Sequence, residues 1–167
     1  DRTAVPACHI SIFLIASTSC VHRASFVKAP ELTLGRVVVY RNGIAYYERR
    51  AQIIGDRFVL RVPADKVDDF LKSLTVNDAV TGQALPVSFP TQRASSAGEV
   101  EMSVQVTGGA GRQVVLTYVT EAPAWKPSYR VIMRPDGNVD LEGWAIVDNT
   151  SGEDWQAVRV GVGESSA

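Results

Sequence analysis

From Leu34 onward the chain alternates apolar and polar residues with the period of a β-strand, and turn residues interrupt it at intervals of roughly ten positions. "RVVVYRNGIAYYERR" is the clearest instance. Val37 to Tyr40 and Ile44 to Tyr47 are β-branched or aromatic runs. Asn42-Gly43 between them tolerates positive φ, so the stretch predicts a tight hairpin. A second hairpin is expected to turn at Gly55-Asp56, after which Phe58, Leu60 and Val62 send one apolar row toward a core. One helix interrupts the strands. In "PADKVDDFLKSLTV", Val67, Phe70, Leu71 and Leu74 share one face at helical spacing, which suits a helix covering one end of a sheet. Asp65 is the expected N-cap, and Asp68 and Asp69 suit the positive end of the helix dipole.

Thr75 to Asn77 and Leu85 to Phe89 extend the strand pattern. "PTQRASSAGE" (Pro90 to Glu99) is small, polar and proline-initiated, the composition of a linker. Beyond it, Val100, Met102, Val104 and Val106 alternate, and Gln113 to Glu121 is rich in Val, Thr and Tyr. Tyr129 to Arg134 leads into the turn signal Pro135-Asp136-Gly137-Asn138. Val139 to Val147 and Trp155 to Val162 complete the set. The reading is a mainly β protein of antiparallel sandwich or barrel units with one short amphipathic helix. Residues 1–33 form a leader or tail, 34–89 a small N-terminal β domain with the helix, 90–99 the linker, and 100–167 a β-sandwich domain truncated at its C-terminus.

Composition narrows the partners. A formal charge of −1 over 167 residues does not suit nucleic acid, because phosphate binding needs a basic surface. Arg49-Arg50, flanked by Glu48 and Asp56, reads as a solvated strand end. The opening "ACHISIFLIASTSC" differs from the rest: Ile10 to Ala16 is an apolar run too short to span a bilayer but matched to the core of a secretory signal. Small residues ahead of Cys20 resemble a bacterial lipoprotein cleavage box, so Cys20 is the candidate lipid anchor and the only expected membrane link. The first residue is Asp1, which reads as a processed or trimmed chain. Cys8, Cys20, His9 and His22 all lie in this tail and are too few for a zinc site.

The one stretch that tempts a chemical reading is "DNTSGEDW", Asp148 to Trp155. Paired acids of a glycosidase must face each other across roughly 5–10 Å. Glu153 and Asp154 are adjacent, so their side chains diverge. Asp148, Asn149, Glu153 and Asp154 offer hard oxygens to calcium, but Thr150 and Gly152 stand where a calcium loop wants further ligands. "TGGAGRQ" (Thr107 to Gln113) lacks the lysine and following helix of a phosphate loop and reads as a hairpin turn. The simpler account of the octapeptide is a self-capping connection. Asp148, Asn149, Thr150 and Ser151 can each bond nearby backbone, Gly152 takes positive φ, and Trp155 begins a strand and anchors the loop. No catalytic, cofactor or metal residues are assigned. Trp125, Trp144 and Trp155 keep a glycan reading open: a glycan-binding or glycan-modifying module using those rings with Glu153 and Asp154. In Leu141 to Val147, Trp144 shares a face with Glu142 and Ile146, and alternation alone does not say which face is inside. Asn149-Thr150-Ser151 also fits a glycosylation sequon, relevant only in a eukaryotic secretory host.

"YVTEAPAWKPSYRVIM" (Tyr118 to Met133) and "DNTSGEDWQAVRVGVGESSA" (Asp148 to Ala167) together resemble the core of a bacterial family of unknown function labelled mucoidy-inhibitor-like. The resemblance rests on Trp125, Pro127 and Tyr129 in a W-x-P-x-Y pattern, and on Asn149, Thr150, Gly152, Glu153, Asp154 and Trp155. "VVVYRNGIAYYERR" and "VPADKVDDFLKSLTV" resemble the smaller β domain that accompanies it. This chain has a shorter segment between the two units than the family, and the family continues beyond the position of Ala167. The resemblance implies an exported β protein of the cell envelope, in the periplasm or at the outer membrane. The family has no established catalytic residues to carry over. Together with the residues above, the reading is a non-enzymatic protein without a cofactor, acting through contacts with a protein or an envelope polymer.

Overall fold

The computed structural model describes residues 27–29, 31–94 and 98–164. Residues 1–26 of the expected leader or tail, with Cys8, Cys20, His9 and His22, lie outside the described residues. The last part of that tail is corrected, because Val27, Ala29 and Leu32 are buried in the core and Lys28 bridges to Arg61. The chain is mainly β, as the alternation predicts. Its strands are β1 (Thr33–Tyr40), β2 (Ile44–Gln52), β3 (Arg57–Pro63), β4 (Thr75–Asp78), β5 (Val87–Ala94), β6 (Glu99–Val106), β7 (Gln113–Glu121), β8 (Lys126–Met133), β9 (Val139–Ile146) and β10 (Arg159–Gly163). A 3-10 turn (Ala64–Lys66) leads into the helix α1 (Val67–Ser73). Five strands form a sheet in the order β10-β1-β2-β7-β4, three form a second, β3-β6-β5, and β8 and β9 pair only with each other. Among the described residues no helix is long and apolar enough to cross a membrane.

One core joins the two larger sheets. Val37, Val39, Ala45, Tyr47, Val114, Leu116 and Tyr118 come from the five-stranded sheet, and Phe58, Leu60, Val62, Met102, Val104 and Val106 from the three-stranded one. Each row has period two, so each strand turns one edge of its pleat inward. The one departure is on β1, where a β-bulge between Leu34 and Arg36 makes Gly35 the extra residue. Leu34 and Val37, three apart, can therefore both be buried. Helix α1 closes one end as expected. Phe70 is fully buried, with its ring 5.1 Å from that of Tyr118.

Several expectations are corrected. The stretch Pro90 to Glu99 is not simply a linker, because β5 runs through Ala94 and pairs with β6. The division at that point does not follow the strand pairing either: β7 inserts between β2 and β4, and β6 pairs with β3. Composition reports polarity, and polar residues are found in strands as well as in linkers. Gly55-Asp56 and Thr107 to Gln113 do not close hairpins. They carry the chain from one sheet to the other, since β2 and β3, and likewise β6 and β7, belong to different sheets. The Asn42-Gly43 turn does close a hairpin, but only Gly43 has positive φ, 85°, within a three-residue loop. Asp65 is not the N-cap. It lies in the 3-10 turn, Lys66 occupies the cap position, and neither helix start has a side-chain cap. Finally β10 begins at Arg159, so Trp155 precedes it, and β10 runs parallel to β1 rather than antiparallel.

Candidate functional site

The octapeptide forms the connection between β9 and β10 and caps itself in part. The Ser151 backbone N–H donates to Asn149 Oδ1 at 3.0 Å, and the Asn149 side-chain amide donates to the Glu153 carbonyl at 2.8 Å. The Trp155 ring N–H donates to Ser151 Oγ at 3.1 Å. Gly152 takes φ 76°, the left-handed region that favours glycine. Trp155 is half-buried against the core, an anchor for the loop but not the first residue of a strand.

Glu153 does something the local reading misses. Its carboxylate accepts from the Arg49 guanidinium on β2, and Arg49 Nε donates to the Tyr118 hydroxyl at 3.0 Å. Arg49 is only 2% exposed, so its reading as part of a solvated strand end is corrected; Arg50 next to it is the solvated one. The signal was present in the alternation. Ala45, Tyr47 and Arg49 are successive inward positions of β2. Tyr47 stacks on Tyr118 with centroids 5.2 Å apart, so the arginine sits among rings. Burial opposes the Arg49 charge, but Tyr118 and Glu153 together outweigh it and raise its pKa. Burial, reinforced by Glu153, pushes the Tyr47 phenol up to about 12, and burial raises Tyr118 as well. Both phenols stay protonated across the physiological range and the guanidinium stays charged. The cluster holds the octapeptide against the five-stranded sheet.

The other motif residues are dispersed. Asp154 is exposed and makes no ion pair among the described residues. Among the described residues no three His, Cys, Asp or Glu side chains are placed to hold an ion. Trp125 is half-buried. Its ring N–H donates to the Gly163 carbonyl at 2.9 Å, and the Arg41 guanidinium lies 5.8 Å from its ring centre. This clamps the end of β10 to the β1–β2 hairpin. A Cβ at Gly163 would stand 2.8 Å from the Tyr40 ring, so a larger residue there would force that ring to shift.

Pro127 and Tyr129 belong to the β8–β9 ribbon, which is the unusual part of the molecule. Its register places Pro127 opposite Ala145, Tyr129 opposite Gly143, Val131 opposite Leu141 and Met133 opposite Val139. These pairs make one wholly apolar face. Lys126, Ser128, Arg130, Asp140, Glu142 and Trp144 lie on the other, with Ile132 and Ile146. The apolar face is open to solvent: Met133 is 82% exposed, Leu141 and Tyr129 each 68%. Trp144 stands half exposed on the polar face, so the three tryptophans occupy three separate settings.

The site thus defines a two-sheet β protein that carries a solvent-exposed apolar ribbon. No family model, no curated protein and no solved structure matches this chain.

Proposed function

We propose that this chain is a non-enzymatic, exported β protein of the bacterial cell envelope, at the periplasm or outer membrane, that works through protein contacts. The resemblance carried by Trp125, Pro127, Tyr129 and the octapeptide supports the envelope setting. The observation that carries the mode of action is the apolar face of the ribbon. Two strands alone are marginally stable in water, and a contiguous exposed apolar patch marks an interaction surface. The occupant is a second copy of this chain. The face bears no charge along its length, so two copies can lie face to face about a two-fold axis using the same patch. Five large side chains at these exposures would bury on the order of 1,200 Å² in total, the low end of a specific interface.

Sedimentation equilibrium between micromolar and several hundred micromolar protein tests this. The expected result is a concentration-dependent dimer that Leu141→Lys abolishes while the near-UV circular dichroism of the core is retained. A wild-type monomer across the whole range would overturn the reading. A glycan-binding surface has less support, since Trp125 and Trp155 both give their ring N–H to the protein's own oxygens and Glu153 is engaged by Arg49.

A further inference from the structure

On the solvent face of the five-stranded sheet, the register sets Arg159 of β10 beside Arg36 of β1, and Arg36 beside Glu48 of β2. Arg50, two residues beyond Glu48, shares that face and donates to Glu48 through Nε at 3.3 Å and Nη2 at 3.0 Å. Together with Gly35 and Ala157 these four side chains line a recess of about 410 Å³. Glu48 is committed to Arg50. Among the described residues Arg36 and Arg159 have no ion pair or hydrogen-bond partner for their side chains. Two like charges side by side on the sheet repel each other, and an anion held between them would remove that repulsion.

Two backbone features shape the same recess. The β-bulge at Gly35 is the only break in the β1–β2 register, and bulges re-aim the side chains beside them. Ala157, in the approach to β10, has φ 54°, the only positive φ at a non-glycine among the described residues. That conformation costs an alanine free energy and concentrates at functional sites. It is independent of the arginines, yet it lines the same wall.

We propose that Arg36, Arg50 and Arg159 form a binding site for a phosphate-class oxyanion. Arginine forks match phosphate oxygens two at a time. Three guanidinium groups against one carboxylate leave two positive charges, which a dianion neutralises and a single carboxylate does not. The ligand is therefore inorganic phosphate or a phosphomonoester carried on a larger molecule. This inference does not depend on the ribbon.

Calorimetric titration of the folded protein with inorganic phosphate, phenyl phosphate and acetate tests it. Saturable binding of phosphate, at least tenfold tighter than acetate, is expected. Affinity should rise as pH is raised from about 5 to 7.5, through the second phosphate ionisation near 6. Arg36→Gln and Arg159→Gln should each weaken it about tenfold or more, while Arg57→Gln on the other sheet should not. Phenyl phosphate binding as tightly as the free ion points to a phosphomonoester on a larger ligand; binding of the free ion alone points to inorganic phosphate. No saturable phosphate binding, or an equal loss in Arg57→Gln, would overturn the proposal.

Discussion

On β6, Met102, Val104 and Val106 alternate with polar residues and are wholly buried; on β9, Val139 and Leu141 alternate with Asp140 and Glu142 and are more than half exposed. The two strands carry the same kind of pattern. What differs is the second layer. β6 lies in a sheet whose inner face meets another sheet, so each apolar side chain loses its water. The ribbon has no such partner among the described residues. Alternation therefore says that a strand has an apolar face, and tertiary structure alone says whether that face is covered. The polar sides differ in the same way. The core has a buried arginine held by Glu153 and Tyr118. The ribbon's Arg130–Glu142 and Arg134–Asp140 pairs are exposed and worth at most about 1 kcal/mol each.

The sharpest way to break this contrast is inside the core. Phe70→Ala removes a fully buried ring at the junction of α1 and β7 and should cost about 3–5 kcal/mol in urea denaturation. A loss under 1 kcal/mol would mean that the helix does not close the core. Next in size is Glu153→Gln. It leaves the buried Arg49 charge without its counter-ion, and a loss of about 3 kcal/mol is expected. The double variant Arg49→Met with Glu153→Gln should recover most of it. If the single variant is neutral, the octapeptide is held by its own hydrogen bonds and not by the sheet.

Acid sensitivity should also belong to the core. Asp78 at the end of β4 accepts from the Thr81 and Val80 N–H groups, each at 2.9 Å, and from Arg112 at 2.7 Å. The Thr81 N–H, then Arg112, then the Val80 N–H hold its carboxyl down at about 2. The folded value lies below the unfolded value of about 3.9. The contribution is thus fully present above about pH 4 and is lost as pH falls toward 2. Unfolding midpoints recorded between pH 5 and 2 should fall less steeply for Asp78→Asn than for wild type, and parallel slopes would remove Asp78 from the account. A smaller effect, of opposite sign, is expected at Thr120. Its hydroxyl is buried without a partner, so Thr120→Val should stabilise by about 1 kcal/mol. A destabilised valine variant would show that the hydroxyl has a partner in solution.

Periodicity made much of the fold legible. β7 was readable over its full length, Gln113 to Glu121, and the inward rows of β3 and β6 were readable residue by residue. Sheet membership was not, because pairing such as β7 between β2 and β4 joins residues far apart in the chain and leaves no local mark. At the octapeptide, the Asn149 and Ser151 hydrogen bonds were local and therefore readable. The Glu153–Arg49 pair spans two distant segments, and an inward arginine on β2 looks like any charged residue unless its phase against Ala45 and Tyr47 is counted. The arginine recess was hidden for the same reason: Arg36 and Arg159 become neighbours only through the parallel β1–β10 pairing.

The smallest expected effect bears most directly on the contrast. Leu141 is 68% exposed and faces no second layer, so Leu141→Ala should change the stability of the dilute monomer by less than about 0.5 kcal/mol. A leucine in the core would lose several times that. Concentration should separate the two proteins. If a second copy covers the ribbon, binding to the folded state raises the wild-type Tm as protein concentration increases, by mass action. The alanine variant loses part of the shared apolar surface, and its Tm should climb less. Thermal melts at low micromolar and at several hundred micromolar protein make both comparisons at once. A loss of 2 kcal/mol or more at the lower concentration would mean that the side chain is already covered within one chain in solution. The distinction between a buried core and an open ribbon would then fail.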